Sequence, residues 1–155
     1  PTNLYGINDN FDYETSHVLP SMLRKFHEAK LNNNAPVKLW GSGTPKREFL
    51  YVDDLAESVC FALKNNLKDS LYNVGSGIDL SIHELALMIQ QITGHTGEIS
   101  WDKSKPDGTP RKLMDINLLK DEGWHSSTEL ENGIKKTYEW FLENENNIKK
   151  IKIKN

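Results

Sequence analysis

A single cysteine, Cys60, is all the thiol chemistry this 155-residue chain carries. No disulfide can close within it, which makes a reducing cytoplasm the expected location. No apolar run approaches the ~18 residues of a membrane-spanning helix, and no signal-peptide pattern is present, so no membrane partner is expected. Basic residues are not in excess. Nineteen Lys and Arg against twenty-two Asp and Glu leave a net charge of −3, which excludes the clustered basic face that grips nucleic acid. The histidines show no paired ligand spacing, so no metal site is assigned, and no internal repeat is visible. What is present, 37% hydrophobic residues, suffices for one domain with a real core. An initiator methionine is also missing. The chain opens on Pro1, and PTNLYG reads as a strand running into a turn; the expectation is a piece of a longer polypeptide.

Helical and short extended patterns alternate, which indicates an α/β fold. Residues 17–30 place Leu19, Met22, Leu23 and Phe26 at helical spacing, with Pro20 admissible only in the first turn. Strands are expected at 37–40, 48–52, 71–75 and 97–101, and a helix at 53–65 with Leu55, Ala56, Val59 and Leu63 inward. Ser81 to Glu84 is a capping box for a helix that Gly94 should stop. Thr128 to Glu131 reads as a second capping box, opening a last helix with Leu130, Ile134, Tyr138 and Phe141 inward. Residues 145–155, alternating lysine and isoleucine at their end, are expected to be a frayed basic tail.

Two loops imitate phosphate grips. WGSGTPKREF (40–49) has glycines, hydroxyls and cations, but Lys46 is misplaced for a Walker loop and a strand follows where a helix is required. GSGID (75–79) lies between a strand pattern and a helix, yet Leu80 stands where the third glycine of a dinucleotide fingerprint belongs. Neither is a phosphate loop on its own pattern. His17, at a helix start beside Ser16, is placed to exchange protons with a carbon acid or alkoxide. His27, His83, His95 and His125 fall on faces expected to be exposed. Asp53 and Asp54 are read as caps of the helix they begin, Cys60 as a structural thiol, and Trp40, Trp101, Trp124 and Tyr138 as core unless a base stacks on them.

PTNLYG (1–6), NDNFD (8–12), SHVLP (16–20), RKFHEAK (24–30), WGSGTPKREFLYVDD (40–54), NVGSGID (73–79), SKPDGTPRKLMD (104–115) and YEWFLEN (138–144) together resemble the C-terminal half of the GDP-L-fucose synthases, a family of extended short-chain dehydrogenases/reductases. The resemblance runs from Pro1 to about Asn144. It implies the C-terminal substrate-binding portion (1–144) of an enzyme whose N-terminal Rossmann core is absent here. The implied reaction epimerises the two carbons flanking the ketone of GDP-4-keto-6-deoxy-D-mannose and reduces that ketone with NADPH.

By this resemblance Pro1, Thr2, Asn3 and Leu4 line the nicotinamide end of the NADP site, with His17 beside it. His17 matches the acid/base histidine, and Lys25, Trp40 and Arg47 match substrate contacts. A guanidinium offers a planar fork to a diphosphate. Asp107 is a candidate contact to guanine or ribose, since a carboxylate accepts from the guanine edge. Ile7, Lys25 and Tyr51 depart from the family's usual proline, arginine and histidine. The fingerprint glycines, the Tyr-x-x-x-Lys pair and the catalytic serine and cysteine belong to the family's other half, so the chain alone is expected to be inactive. It is also expected to self-associate through the apolar faces of helices 17–30 and 53–65, while the whole enzyme is expected to be a homodimer. The rival readings are another nucleotide-sugar epimerase or dehydratase and a non-catalytic nucleotide-binding module.

Overall fold

The computed structural model describes residues 1–145; the tail foreseen after Asn144 lies outside them from residue 146 on. Five helices and six strands are formed within that range. β1 (Asn3–Tyr5) leads through an irregular segment to α1 (Val18–Leu31), β2 (Val37–Trp40), β3 (Lys46–Tyr51) and α2 (Val52–Lys64). β4 (Asp79–Ser81), α3 (Ile82–Thr93), β5 (Ile99–Asp102), β6 (Arg111–Lys112), α4 (Asn117–Asp121) and α5 (Leu130–Asn144) follow.

β3 organises the larger sheet. Its C-terminal half pairs in parallel with β1, Asn3 opposite Phe49 and Tyr5 opposite Tyr51. Its N-terminal half carries antiparallel β4 and parallel β6, with Lys46 opposite both Ser81 and Arg111. β2 and β5 form a separate parallel pair in which Trp40 stands opposite Asp102. The α/β class expected from the sequence is the one observed.

The main core lies between α1, α3, α5 and the strands. Leu19, Met22, Leu23 and Phe26 of α1 pack with Leu85, Ala86 and Ile89 of α3 and with Ile134, Tyr138 and Phe141 of α5. α3 is bounded as its sequence dictates. The Ser81 hydroxyl accepts from Glu84 N–H, the Glu84 carboxylate accepts from Ser81 N–H, and Gly94 is left-handed.

Several local expectations give way to tertiary partners. α1 does not lack a partner, because its apolar stripe is covered by α3 and α5. α2 is rotated relative to its hydrophobic pattern: Val59 is 53% and Leu63 is 83% exposed, whereas Asp54 and Ser58 are buried. The cause is Asp54, which caps no amide of α2. It accepts from Thr128 N–H, Thr128 Oγ1 and Ser127 Oγ, pulling that face toward the start of α5. Thr128 is thereby removed from its expected capping box, and Glu129 stands at the N-cap with no side-chain hydrogen bond. Cys60 follows the exposed face of α2 and is exposed.

Two histidines expected at the surface are buried. His27 Nδ1 lies 2.9 Å from Tyr138 Oη, and His95 bridges Ala35 O and Gln90 between α3 and the loop after α1. Residues 71–75 form no strand. Their chain is held by Thr2 N–H donating to Val74 O and by Asn73 donating to Asp115 O.

Candidate functional site

WGSGTPKREF and SKPDGTPRK, far apart in sequence, lie side by side. Gly41 N–H donates to Asp102 O, and Lys46 N–H donates to Pro110 O. Between these bonds the two loops are locked by Asp107, which accepts from Ser42 N–H at 2.6 Å and from Ser42 Oγ at 2.8 Å. These donors hold the Asp107 carboxyl below its ordinary pKa, the backbone N–H contributing most. The glycines serve this clasp. Gly41 and Gly43 both have positive φ; a Cβ on Gly41 would collide with Asp107 Oδ1, and one on Gly43 would come within 2.7 Å of the Trp101 ring. The close approach they permit is therefore to Asp107 and Trp101 of this chain.

Along the clasp, the expected substrate contacts are brought together. Trp40 closes β2 with its indole 69% exposed, the least core-like of the aromatics. Lys25 Nζ reaches over it from α1 at 5.8 Å from the ring centroid, and Lys105 Nζ from the opposite loop at 5.4 Å. Both are within cation–π range. Arg47 follows on β3, with one guanidinium N–H donating to Lys46 O at 2.7 Å and its Nη2 against Gly108. The neighbouring Arg111 is committed elsewhere. It grips Asp79 through Nε and Nη2, tying β6 to β4 and holding the Asp79 carboxyl below its usual range. Among the described residues Arg47, Lys25 and Lys105 form no ion pair.

His17 is the N-cap residue of α1, extended in backbone, exposed, and makes no side-chain capping bond. Its ring is free. Lys25 lies eight residues along the same helix, about 12 Å at 1.5 Å per residue. Beside His17, two buried polar atoms have no partner, Asp9 Oδ2 and Ser16 Oγ. Asp9 accepts from Asn10 N–H. Burial pushes its carboxyl up, and the Asn10 N–H and then the nearby His17 partly offset this.

Pro1 to Leu4 form the edge next to β3. The Thr2 hydroxyl and the Asn3 amide both donate to Glu48 O, at 3.3 and 2.9 Å. The Thr2 hydroxyl and an Asn3 amide N–H are thus engaged by the main chain, Leu4 packs partly buried against Leu50, Leu119 and Trp124, and this edge can offer a ligand the Pro1 ring, the exposed Asn3 and main chain. Glu48 itself is 0% exposed. Its Oε1 accepts from Gly77 N–H at 2.7 Å and its Oε2 from Met114 N–H at 3.0 Å. The second loop has its partner within the chain: GSGID turns its Gly77 N–H onto the Glu48 carboxyl group.

Sequence reasoning missed Lys105, Ser42, Glu48 and Asp9. Ser42 is 65 positions from its partner Asp107, and no local pattern links them. A cavity of about 530 Å³ opens elsewhere, among Phe49, Ile78, Leu80, Met88, Ile116 and Leu130, and none of the expected site residues lines it. Lys25 borders a different hollow of about 420 Å³ between α1 and β2. Among the described residues no His, Cys, Asp and Glu group could hold a metal ion, and no helix is long and apolar enough to cross a membrane.

Residues 1–75 match the NAD dependent epimerase/dehydratase family. The chain is 53% identical to a putative GDP-L-fucose synthase 2 of Arabidopsis thaliana over 93% of its own length and 44% of that protein. It is 47% identical to the GDP-L-fucose synthase of Escherichia coli K12, over 96% and 49% of the two. Its fold superposes on a GDP-L-fucose synthetase from Naegleria fowleri bound to NADP with a TM-score of 0.87, at 33% identity and covering 95% and 45% of the two chains. The chain spans about half the length of the curated relatives it matches.

Proposed function

We propose that this chain, whose residues 1–75 match the NAD dependent epimerase/dehydratase family, supplies the substrate grip and the proton-transferring imidazole of an NADP-dependent GDP-sugar epimerase/reductase. The reaction in this reading converts GDP-4-keto-6-deoxy-D-mannose to GDP-L-fucose, as the names of its relatives suggest. One observation carries it: two distant loops are clasped so that Lys105 joins Lys25 over the exposed Trp40 ring, with the Arg47 guanidinium against Gly108 of the same loop.

In this reading the nucleotide lies along the clasp. The base stacks on the exposed indole of Trp40, since an aromatic face accepts any base. Arg47 donates to the diphosphate through the N–H groups that Lys46 O leaves free. Lys25 adds charge between base and sugar, as a point charge without the fork of an arginine. In this reading the phosphates span the roughly 12 Å of α1 between Lys25 and His17, and the sugar lies by the imidazole.

His17 acts on the sugar carbons flanking the ketone, whose C–H bonds are acidified by that carbonyl. It takes or returns the proton at the ring nitrogen that no capping bond occupies. Asp107 keeps the loops together, its oxygens already accepting from Ser42.

The edge Pro1 to Leu4 fits the nicotinamide end of the cofactor with an apolar ring and main-chain groups. When bound, NADPH supplies the hydride for the ketone. Within this chain no residues are assigned to its phosphates.

The test follows solvent deuterium into the sugar with the complete enzyme carrying His17→Asn. Exchange at the flanking carbons should fall by about 100-fold or more, with GDP affinity kept. Undiminished exchange at both carbons removes His17 from the acid/base role. Titration with GDP-mannose, GDP and UDP-glucose checks the substrate class, and tightest binding of the UDP sugar would overturn it.

A further inference from the structure

We propose that Lys105 is the guanine-reading residue of this site, donating to O6 and N7 of a base stacked on Trp40. The proposal deepens the GDP-sugar reading above and rests on it.

Lys105 stands on a short loop pinned at both ends. Behind it, its own N–H donates to Asp102 O, and Asp102 Oδ1 accepts from Ser104 N–H and Oγ. Ahead of it, Asp107 is clamped by Ser42. The side chain is exposed yet does not point away: its ammonium is 5.4 Å from the Trp40 centroid. Among the described residues it has no carboxylate partner. The ring it covers is the one a base would use.

Chemistry selects the base. Guanine presents two acceptors, O6 and N7, side by side on one edge, and a lysine or arginine there is the commonest specific contact. Adenine puts an amino donor in place of O6, which an ammonium repels. Uracil has no N7. Asp107, the alternative reader, has both oxygens engaged by Ser42. Lys25 approaches the same ring from α1, the helix that carries His17, and so serves the sugar-phosphate side. Lys105 comes from the β5–β6 loop and is left for the base.

The experiment is calorimetric titration of GDP, ADP and 7-deaza-GDP into the chain and its Lys105→Met and Lys105→Arg variants. Because Lys105 is exposed and unpaired, its replacement should leave folding intact, which far-UV circular dichroism checks. Wild type should prefer GDP over ADP by about tenfold. Lys105→Met should remove most of that preference while leaving ADP affinity within about twofold, and Lys105→Arg should keep it. Removing N7 should weaken wild type and not Lys105→Met. A wild-type GDP preference that survives in Lys105→Met, or equal sensitivity to 7-deaza-GDP in both, overturns the assignment of Lys105. A wild type with no preference for GDP overturns the underlying guanine reading as well, a different result.

Discussion

Glu48 and Gly75 compete for one volume: a methyl group on Gly75 would lie on the Glu48 carboxylate. That carboxylate is wholly buried and accepts from Gly77 and Met114 N–H, while its own carbonyl oxygen accepts from Thr2 and Asn3. One residue of β3 thus ties down the N-terminal edge, the loop before β4 and the segment after β6.

Glu48→Ala should cost about 3 kcal/mol of stability, because it empties a fully buried site and leaves two partly buried N–H groups without acceptors. Gly75→Ala should be comparably damaging through overlap alone. Urea denaturation reads both. A change of under about 0.5 kcal/mol in Glu48→Ala, the size of an ordinary surface substitution, would mean the carboxylate is not the tie described here.

The Ser42–Asp107 clasp predicts a binding defect without a folding defect. Both loops are at the surface, so Asp107→Ala should lower the melting temperature little while weakening GDP binding by about tenfold, the loss of two hydrogen bonds to a charged group being worth at least that. Faster amide exchange at Ser42 should accompany it. Unchanged exchange at Ser42 would show that the loops hold together by other means.

Asp9 makes a pH prediction. Burial raises its carboxyl pKa above the ordinary value, so the folded state holds its proton more tightly than the unfolded chain. The sign follows: this group favours folding most below the ordinary aspartate pKa of about 3.9, and the benefit is lost as pH rises through the raised value. Asp9→Asn should therefore be more stable than wild type at neutral pH, with the two melting temperatures converging as pH drops toward 4. A gap independent of pH would place the effect outside Asp9 ionisation.

The α2 face carrying the exposed Val59 and Leu63 is an apolar surface of the kind that drives association. The isolated chain should self-associate at micromolar to millimolar concentration, and Val59→Lys with Leu63→Glu should shift it toward monomer in light scattering. A wild type that stays monomeric throughout contradicts this. The stripe of Leu19, Met22, Leu23 and Phe26 on α1 is covered and is not part of this surface.

The elements that local chemistry specifies alone were legible in the residues. α3 begins at a serine with glutamate three positions on and ends at a glycine, and no distant partner alters that. The apolar spacing of α1 and α5 and the likeness of WGSGTPKREF and SKPDGTPRK to a known family are likewise written along the chain. Tertiary structure decided wherever a polar side chain had two possible partners. Asp54 took Thr128 rather than its own helix and turned the hydrophobic face of α2 outward. Glu48 claimed the amide of Gly77, and the neighbouring 71–75 stretch, held by Thr2 and Asn73, forms no strand. Asp107 met Ser42 and set Lys105 over Trp40. The physical reason is common to all three: a carboxylate binds whichever donors the fold brings within about 3 Å, and those donors came from segments that no local pattern in the chain connects.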